Sequence, residues 1–216
     1  KTKLGDPDNA VDAVRRAAME ERRAGELVAA ADAAHTAGNV SAEQAGRAAA
    51  HHMLALAAAD YRKESTLTTM QTDVSGNSLW KAAQLYDAAG EAEKSIAAYR
   101  EFIGGWPGDS RIPEGLLAVG RLEESIGDLD AAIAAYQKDI KDNPKTPAAY
   151  RATVNLARCY MGQGPQHFAQ AEAALLSLVQ DNSDLLPTAE EFRISLFTLG
   201  ELYFRNGRWA DAILRL

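Results

Sequence analysis

The stretch AIAAYQKDIKDNP, Ala132 to Pro144, decides the fold. It echoes SIAAYREFIGGWP, Ser95 to Pro107, and the two terminal prolines stand 37 residues apart (144 − 107). Aligned, the segments share Ile, Ala, Ala, Tyr, Ile and the closing Pro. Each carries a small residue, an aromatic and an isoleucine at i, i+4 and i+8, which places all three on one side of a helix. The segment before each is also helical in period and ends in glycine: LWKAAQLYDAAG (Leu79 to Gly90) and LLAVGRLEESIG (Leu116 to Gly127). Glycine ends a helix at little cost because it accepts the left-handed conformation, and proline cannot continue one. The chain therefore repeats a helix–turn–helix unit.

Two further units fit the pattern. NLARCYMGQG (Asn155 to Gly164) leads to QAEAALLSLVQDN, with two extra residues in the turn. LFTLGELYFRNG (Leu196 to Gly207) leads to RWADAILRL, where the sequence given ends. Pro113 and Pro147 fit the first turns of helices, and Thr188 with Glu191 has capping-box spacing. Upstream, Asp8 to Ala37 and Ser41 to Glu64 read as two alanine-rich helices, broken at Gly38-Asn39 and restarted by Ser41 with Gln44. The polar stretch Ser65 to Ser78, with Gly76-Asn77, reads as a connector.

These units resemble the tetratricopeptide repeat. The family's small-residue positions match Ala83, Gly120, Ala157 and Gly200 on the first helices, and Ser95, Ala132, Ala171 and Ala212 on the second. Its aromatic positions match Tyr86, Tyr160 and Tyr203, then Tyr99 and Tyr136. Glu123 stands where an aromatic is usual and Asp139 where a small residue is usual. The resemblance implies an all-α fold, a right-handed superhelix of antiparallel helix pairs. Residues 76–216 would form about four units, the last incomplete, and residues 1–75 an amino-terminal helical pair. Stacking is the physical need behind such an array, because one pair cannot bury its own apolar face.

Composition narrows the function. The 216 residues carry a net charge of −7, which argues against an extended phosphate-binding surface and hence against nucleic acid. The longest apolar runs, such as Leu54 to Ala59, are too short to cross a membrane. The start, KTKLGDPDNA, lacks Met and an apolar signal core, as expected of a processed or excised piece. The single cysteine, Cys159, excludes an internal disulfide.

No residue set points to catalysis, a metal or a cofactor. His51 and His52 are adjacent and point about 100° apart on a helix, so they do not share one ion. Cys159 reads as a packed thiol, and Glu123-Glu124 and Glu190-Glu191 as helix surface and helix start. GQGP, Gly162 to Pro165, is a turn with no strand before it and not a phosphate loop.

The informative positions lie on the inner face of the first helices, which in the repeat family lines a concave groove for an extended peptide or a helix. The i, i+4, i+7 spacing selects Trp80, Gln84 and Asp87; Leu117, Arg121 and Glu124; Val154, Arg158 and Met161; and Phe197, Glu201 and Phe204. One row across the units is apolar (Trp80, Leu117, Val154, Phe197), and the next carries Gln84, Arg121, Arg158 and Glu201. An apolar stripe beside arginines suits a partner segment with hydrophobic anchors and a carboxylate. The chaperone-binding branch of the family has Lys in the row of Trp80, so its terminal-carboxylate ligand is not expected here. The expected function is a non-catalytic interaction scaffold; the alternative is a regulatory or adaptor arm of a larger protein whose catalytic domain lies outside this sequence. WPGDSRIPEGLLAVG, Trp106 to Gly120, resembles the long-spaced repeats of bacterial envelope proteins, such as the periplasmic partner of the Tol-Pal system and the lipoprotein of outer-membrane protein assembly. That implies the periplasm, with the cytoplasm as the alternative. The last unit stops soon after Ala212, so Ile213, Leu214 and Leu216 are expected to form an uncovered apolar end, open to self-association.

Overall fold

The computed structural model describes residues 7–68, 72–180 and 185–215. Among them every regular element is helical, and none is long and apolar enough to cross a membrane. The chain divides into two compact units, Lys1–Gly108 and Asp109–Leu216.

The first unit holds α1 (Pro7–Thr36), α2 (Val40–Leu67), α3 (Thr72–Ala88) and α4 (Ala92–Gly105). The amino-terminal helix pair thus shares its unit with the first repeat. Arg16 meets Asp60 towards one end of α1 and α2, and Gly46 meets Ala31 towards the other, so the two helices run antiparallel. Their contact is lined by buried alanines, among them Ala13, Ala17, Ala31, Ala50 and Ala57. Alanine loses no side-chain rotamer freedom on burial and lets helix axes approach closely. Gly38 takes the left-handed conformation between the helices (φ 71°). The cap of α2 is Asn39, whose side chain accepts the Ala42 N–H, and not Ser41. Asparagine caps as well as serine, and α2 begins two residues earlier than a Ser41 cap would place it.

Of the stretch Ser65 to Ser78, residues 65–67 end α2 and residues 72–78 open α3, so most of it is helix and not a connector; residues 69–71 lie outside the described residues. Ser65 lies in the last turn of α2, and Ser75, Gly76 and Ser78 are buried on α3. The polar groups satisfy one another inside the contact: Ser75 donates to the Ser65 carbonyl at 2.8 Å, and Ser78 to the Glu64 carboxylate at 2.6 Å. Polar sequence misleads here because a fully paired polar seam can be buried. Gly76 is a docking place, since a Cβ there would lie 2.9 Å from the Trp106 ring. The Trp106 indole N–H, in turn, donates to the Thr72 carbonyl at 3.0 Å.

In the second unit lie α5 (Ile112–Ser125), α6 (Leu129–Asp142), α7 (Pro147–Gln163), a 3-10 turn (Pro165–His167), α8 (Phe168–Val179), α9 (Glu190–Arg205) and α10 (Trp209–Ile213). Pro113 and Pro147 open α5 and α7, where a missing N–H costs nothing. Asp128 caps α6 and Thr146 caps α7 through their side chains. Thr188 caps nothing: Ala189 holds the cap position of α9 with an extended backbone and no side-chain bond. The first helices α5, α7 and α9 pack side by side, while α6 packs on α5 and α7, and α8 on α7 and α9.

All eight small-residue positions are buried. Two show why. Ser95 donates its hydroxyl to the Ala83 carbonyl at 2.8 Å, which needs the α3 and α4 backbones close together. Ala132 sits fully buried among Leu117, Tyr136, Ala148 and Ala152. Ala132→Leu is expected to cost about 1–3 kcal/mol by overpacking, read as a lower midpoint in denaturant unfolding. An unchanged midpoint would place the close contact elsewhere.

Candidate partner-binding face

The 37-residue repeat sets equivalent positions on neighbouring helices. Leu117, Arg121 and Glu124 on α5 correspond to Val154, Arg158 and Met161 on α7, and to Phe197, Glu201 and Phe204 on α9. Because α5, α7 and α9 lie side by side, equivalent residues fall on one side of that layer.

The structure corrects the apolar row. Leu117, Val154 and Met161 are buried, not exposed. Leu117 fills the seam opened by the small Ala148 and Ala152 of α7. Val154 packs with Leu178 and Leu185, and with Phe192 and Ile194 at their margin. Met161 joins Phe168, Leu175, Leu199 and Tyr203. Each fills a gap between neighbouring helices, so Leu117 and Val154 of the apolar row, and Met161 one turn beyond Arg158, are seam residues. Trp80, in the first unit, is half-buried against Tyr99 and Phe102, with ring centroids 5.1 Å away in both cases. Gln84 is exposed beside it on α3.

The second unit keeps a smaller exposed set. Phe197 is 61% exposed: α9 packs against α7, α8 and α10, and none of them covers this ring. Phe204 is 57% exposed and stacks edge-on against Trp209, centroids 4.9 Å apart. Trp209, itself 57% exposed, was not singled out by sequence. Its signal was an aromatic residue two positions after the Gly207 turn, at the start of the last helix. Arg121 and Arg158 are exposed on α5 and α7. Glu201 is half-buried and paired with Arg205 one turn on. The face therefore offers aromatic surface at α9 and α10 and guanidinium groups at α5 and α7. At the end of the array Ile213 and Leu214 are 77% and 81% exposed; Leu216 lies outside the described residues.

Behind the face, the titratable groups are structural. The Tyr136 hydroxyl donates to the Glu124 carboxylate at 3.1 Å, and burial raises its pKa. Burial, with Glu124 nearby, pushes the Cys159 thiol up to about 12. A thiol held there is not a nucleophile near neutral pH. Arg208 bridges Glu172 of α8 and Asp211 of α10 and lies over the Tyr203 ring, 4.2 Å from its centroid, which pins the last helix to its neighbours. His51 and His52 are exposed on α2. Among the described residues no group of three or more His, Cys, Asp or Glu could hold a metal ion.

Solved structures share this architecture. BtubC from P. vanneervenii aligns over 91% of this chain and 88% of its own, with a TM-score of 0.55 and 14% identity. MamA aligns over 86% and 89%, with a TM-score of 0.57 and 18% identity. The kinesin light chain repeats of Podosopora anserina align over 89% and 91%, with a TM-score of 0.59 and 16% identity. At such identities the likeness is one of fold. No curated protein matches the sequence. The family profile described as tetratricopeptide repeat matches residues 76–143, 114–164 and 166–216, together more than half of the chain. With the paired helices, the eight buried small-residue positions and these matches, the chain belongs to the tetratricopeptide-repeat family.

Proposed function

We propose that this protein is a non-catalytic scaffold whose second unit binds a partner segment across α5, α7 and α9. The observation that carries this is the exposed pair Phe197 and Phe204 on the layer that also presents Arg121 and Arg158, with the exposed Trp209 of α10 packed against Phe204. Aromatic and arginine side chains dominate interface energies, and guanidinium groups favour a carboxylate partner. The partner class is a peptide or helix with an aromatic or branched aliphatic anchor and nearby Asp or Glu.

Panning a displayed random peptide library against the folded chain should enrich that combination. Arg121→Glu with Arg158→Glu should weaken the enriched peptides by about tenfold or more, with the loss shrinking at high salt. Circular dichroism of the variant should match the parent. Undiminished affinity in this folded variant moves the site off this face. Sedimentation of the parent at high concentration tests the second reading, self-association through Phe204, Trp209, Ile213 and Leu214. A dimer lost on Trp209→Ala supports that reading.

For location we propose the bacterial periplasm. The support is the spacing of Trp106 to Gly120, which resembles envelope-type repeats. Fractionation of cells expressing the full-length protein tests it: recovery with the cytoplasm favours the alternative, an adaptor arm of a larger cytoplasmic protein.

A further inference from the structure

Asp139 occupies an unusual slot. The positions equivalent to it, seven residues after the small residue of the second helix, hold Phe102 in α4 and Leu178 in α8, both buried. Asp139 is as buried as they are, with 0% exposure. One carboxylate oxygen, Oδ1, accepts from the Asn143 side chain at 2.9 Å. The other, Oδ2, is buried with no hydrogen-bond partner. An ionised carboxylate would leave that oxygen desolvated and unpaired, a costly arrangement in an apolar contact. A protonated carboxyl removes the charge and so most of that cost.

We propose that Asp139 is a proton-binding site built into the second unit, protonated when α6 is packed in mildly acidic solution and a source of instability once ionised.

The surrounding charges agree with the geometry. At the end of α6 are Asp142, which is paired with Lys138, and the C-cap residue Asn143. Facing from α5 is Glu114, and from α7 Arg151, and these two pair with each other. Arg151 therefore spends its charge largely on Glu114 and does not rescue Asp139. Burial is the largest influence and raises the carboxyl from 3.8 to about 6; Glu114 and Asp142 push the same way, while Asn143 and Arg151 oppose.

The direction with pH follows by linkage. Between about pH 4 and 6 the folded chain holds a proton that the unfolded chain has released. Stability from this group is full below the unfolded value and is lost as pH rises through the folded value. Above about pH 7 the group is a constant burden on folding. The proton thus firms the packing of α6 behind α5 and α7.

Two measurements on the full chain test this. The Asp139 carboxyl carbon, followed by NMR, should titrate near pH 6; a midpoint at or below 4 overturns the proposal. Thermal unfolding of the parent and Asp139→Asn gives the second reading. The variant keeps the shape and removes the charge, so at pH 7.5 it should melt about 5 °C or more above the parent. That gap should narrow markedly as the pH falls to 4.5 and vanish only near the unfolded value. A gap that does not vary with pH, or a variant less stable at every pH, overturns the proposal. Asp139→Leu, which copies Leu178, should show the same closing gap.

Discussion

Tyr136→Ala should remove about 3–5 kcal/mol from the second unit, the cost of truncating a large aromatic in a tight core. Tyr136 is fully buried, and its ring fills the space left by Gly120: a Cβ on Gly120 would lie 2.2 Å from Cε1 of that ring. Its hydroxyl also donates to Glu124, so truncation loses a hydrogen bond as well as a ring. Unfolding in urea, followed by helical circular dichroism, should show the second unit's transition at lower denaturant. Two units can unfold separately, so each transition is fitted on its own.

The same geometry predicts a sign change. In the parent, Gly120→Ala forces backbone or ring to move and should cost about 1–3 kcal/mol. In the Tyr136→Ala background the obstacle is gone. There the same change should be neutral or stabilising, because alanine is the better helix former by about 1 kcal/mol. Additive costs in the double variant would mean that Gly120 and Tyr136 are not packed on one another.

This pair also shows what the sequence made legible. Small residue and aromatic recur at fixed spacing because two helix backbones touch at the one and the other fills the adjoining gap. That constraint is local to a helix pair, so a single chain reveals it. The partner face is not local in this way. Helical spacing says which side of α5 bears Leu117, but not that Ala148 and Ala152 make room for it on α7. The same holds for Val154, whose cover comes from α8, α9 and the segment between them. Phe197 stays exposed at the equivalent position, so burial within the row depends on neighbours and not on the row itself. Polarity misled for a related reason. Ser65, Ser75 and Ser78 look like a loop until their hydroxyl partners are known. The sequence marks Asp139 as a departure from the family's small residue, while its equivalents Phe102 and Leu178 show that the slot takes a large apolar side chain. The capping signal at Ser41 was correct in kind and two residues late, since Asn39 is the cap, whereas the Thr188 signal names no cap at all, because spacing alone does not fix where the first turn begins.

Phe102→Ala should destabilise the first unit by a comparable amount, about 3–5 kcal/mol, and should do so with a local optical signature. The Phe102 ring is fully buried between two tryptophans: it tilts against Trp80 at 5.1 Å and stacks on Trp106 at 5.5 Å. Trp106 in turn covers Gly76 and is tethered by its indole N–H to Thr72. Removing Phe102 takes away the shared wall of both indoles, so water reaches them and their emission should shift to the red before global unfolding. The third tryptophan, Trp209, is exposed and lies in the second unit against Phe204, so its emission should not move. Trp209→Phe in both backgrounds isolates the two half-buried indoles of the first unit. The first unit's transition should then fall to lower denaturant while the second unit's stays in place. An unshifted emission together with an unchanged first transition would show that Trp80 and Trp106 hold the α3–α4 contact without Phe102. Equal destabilisation of both transitions would instead show that the two units unfold as one.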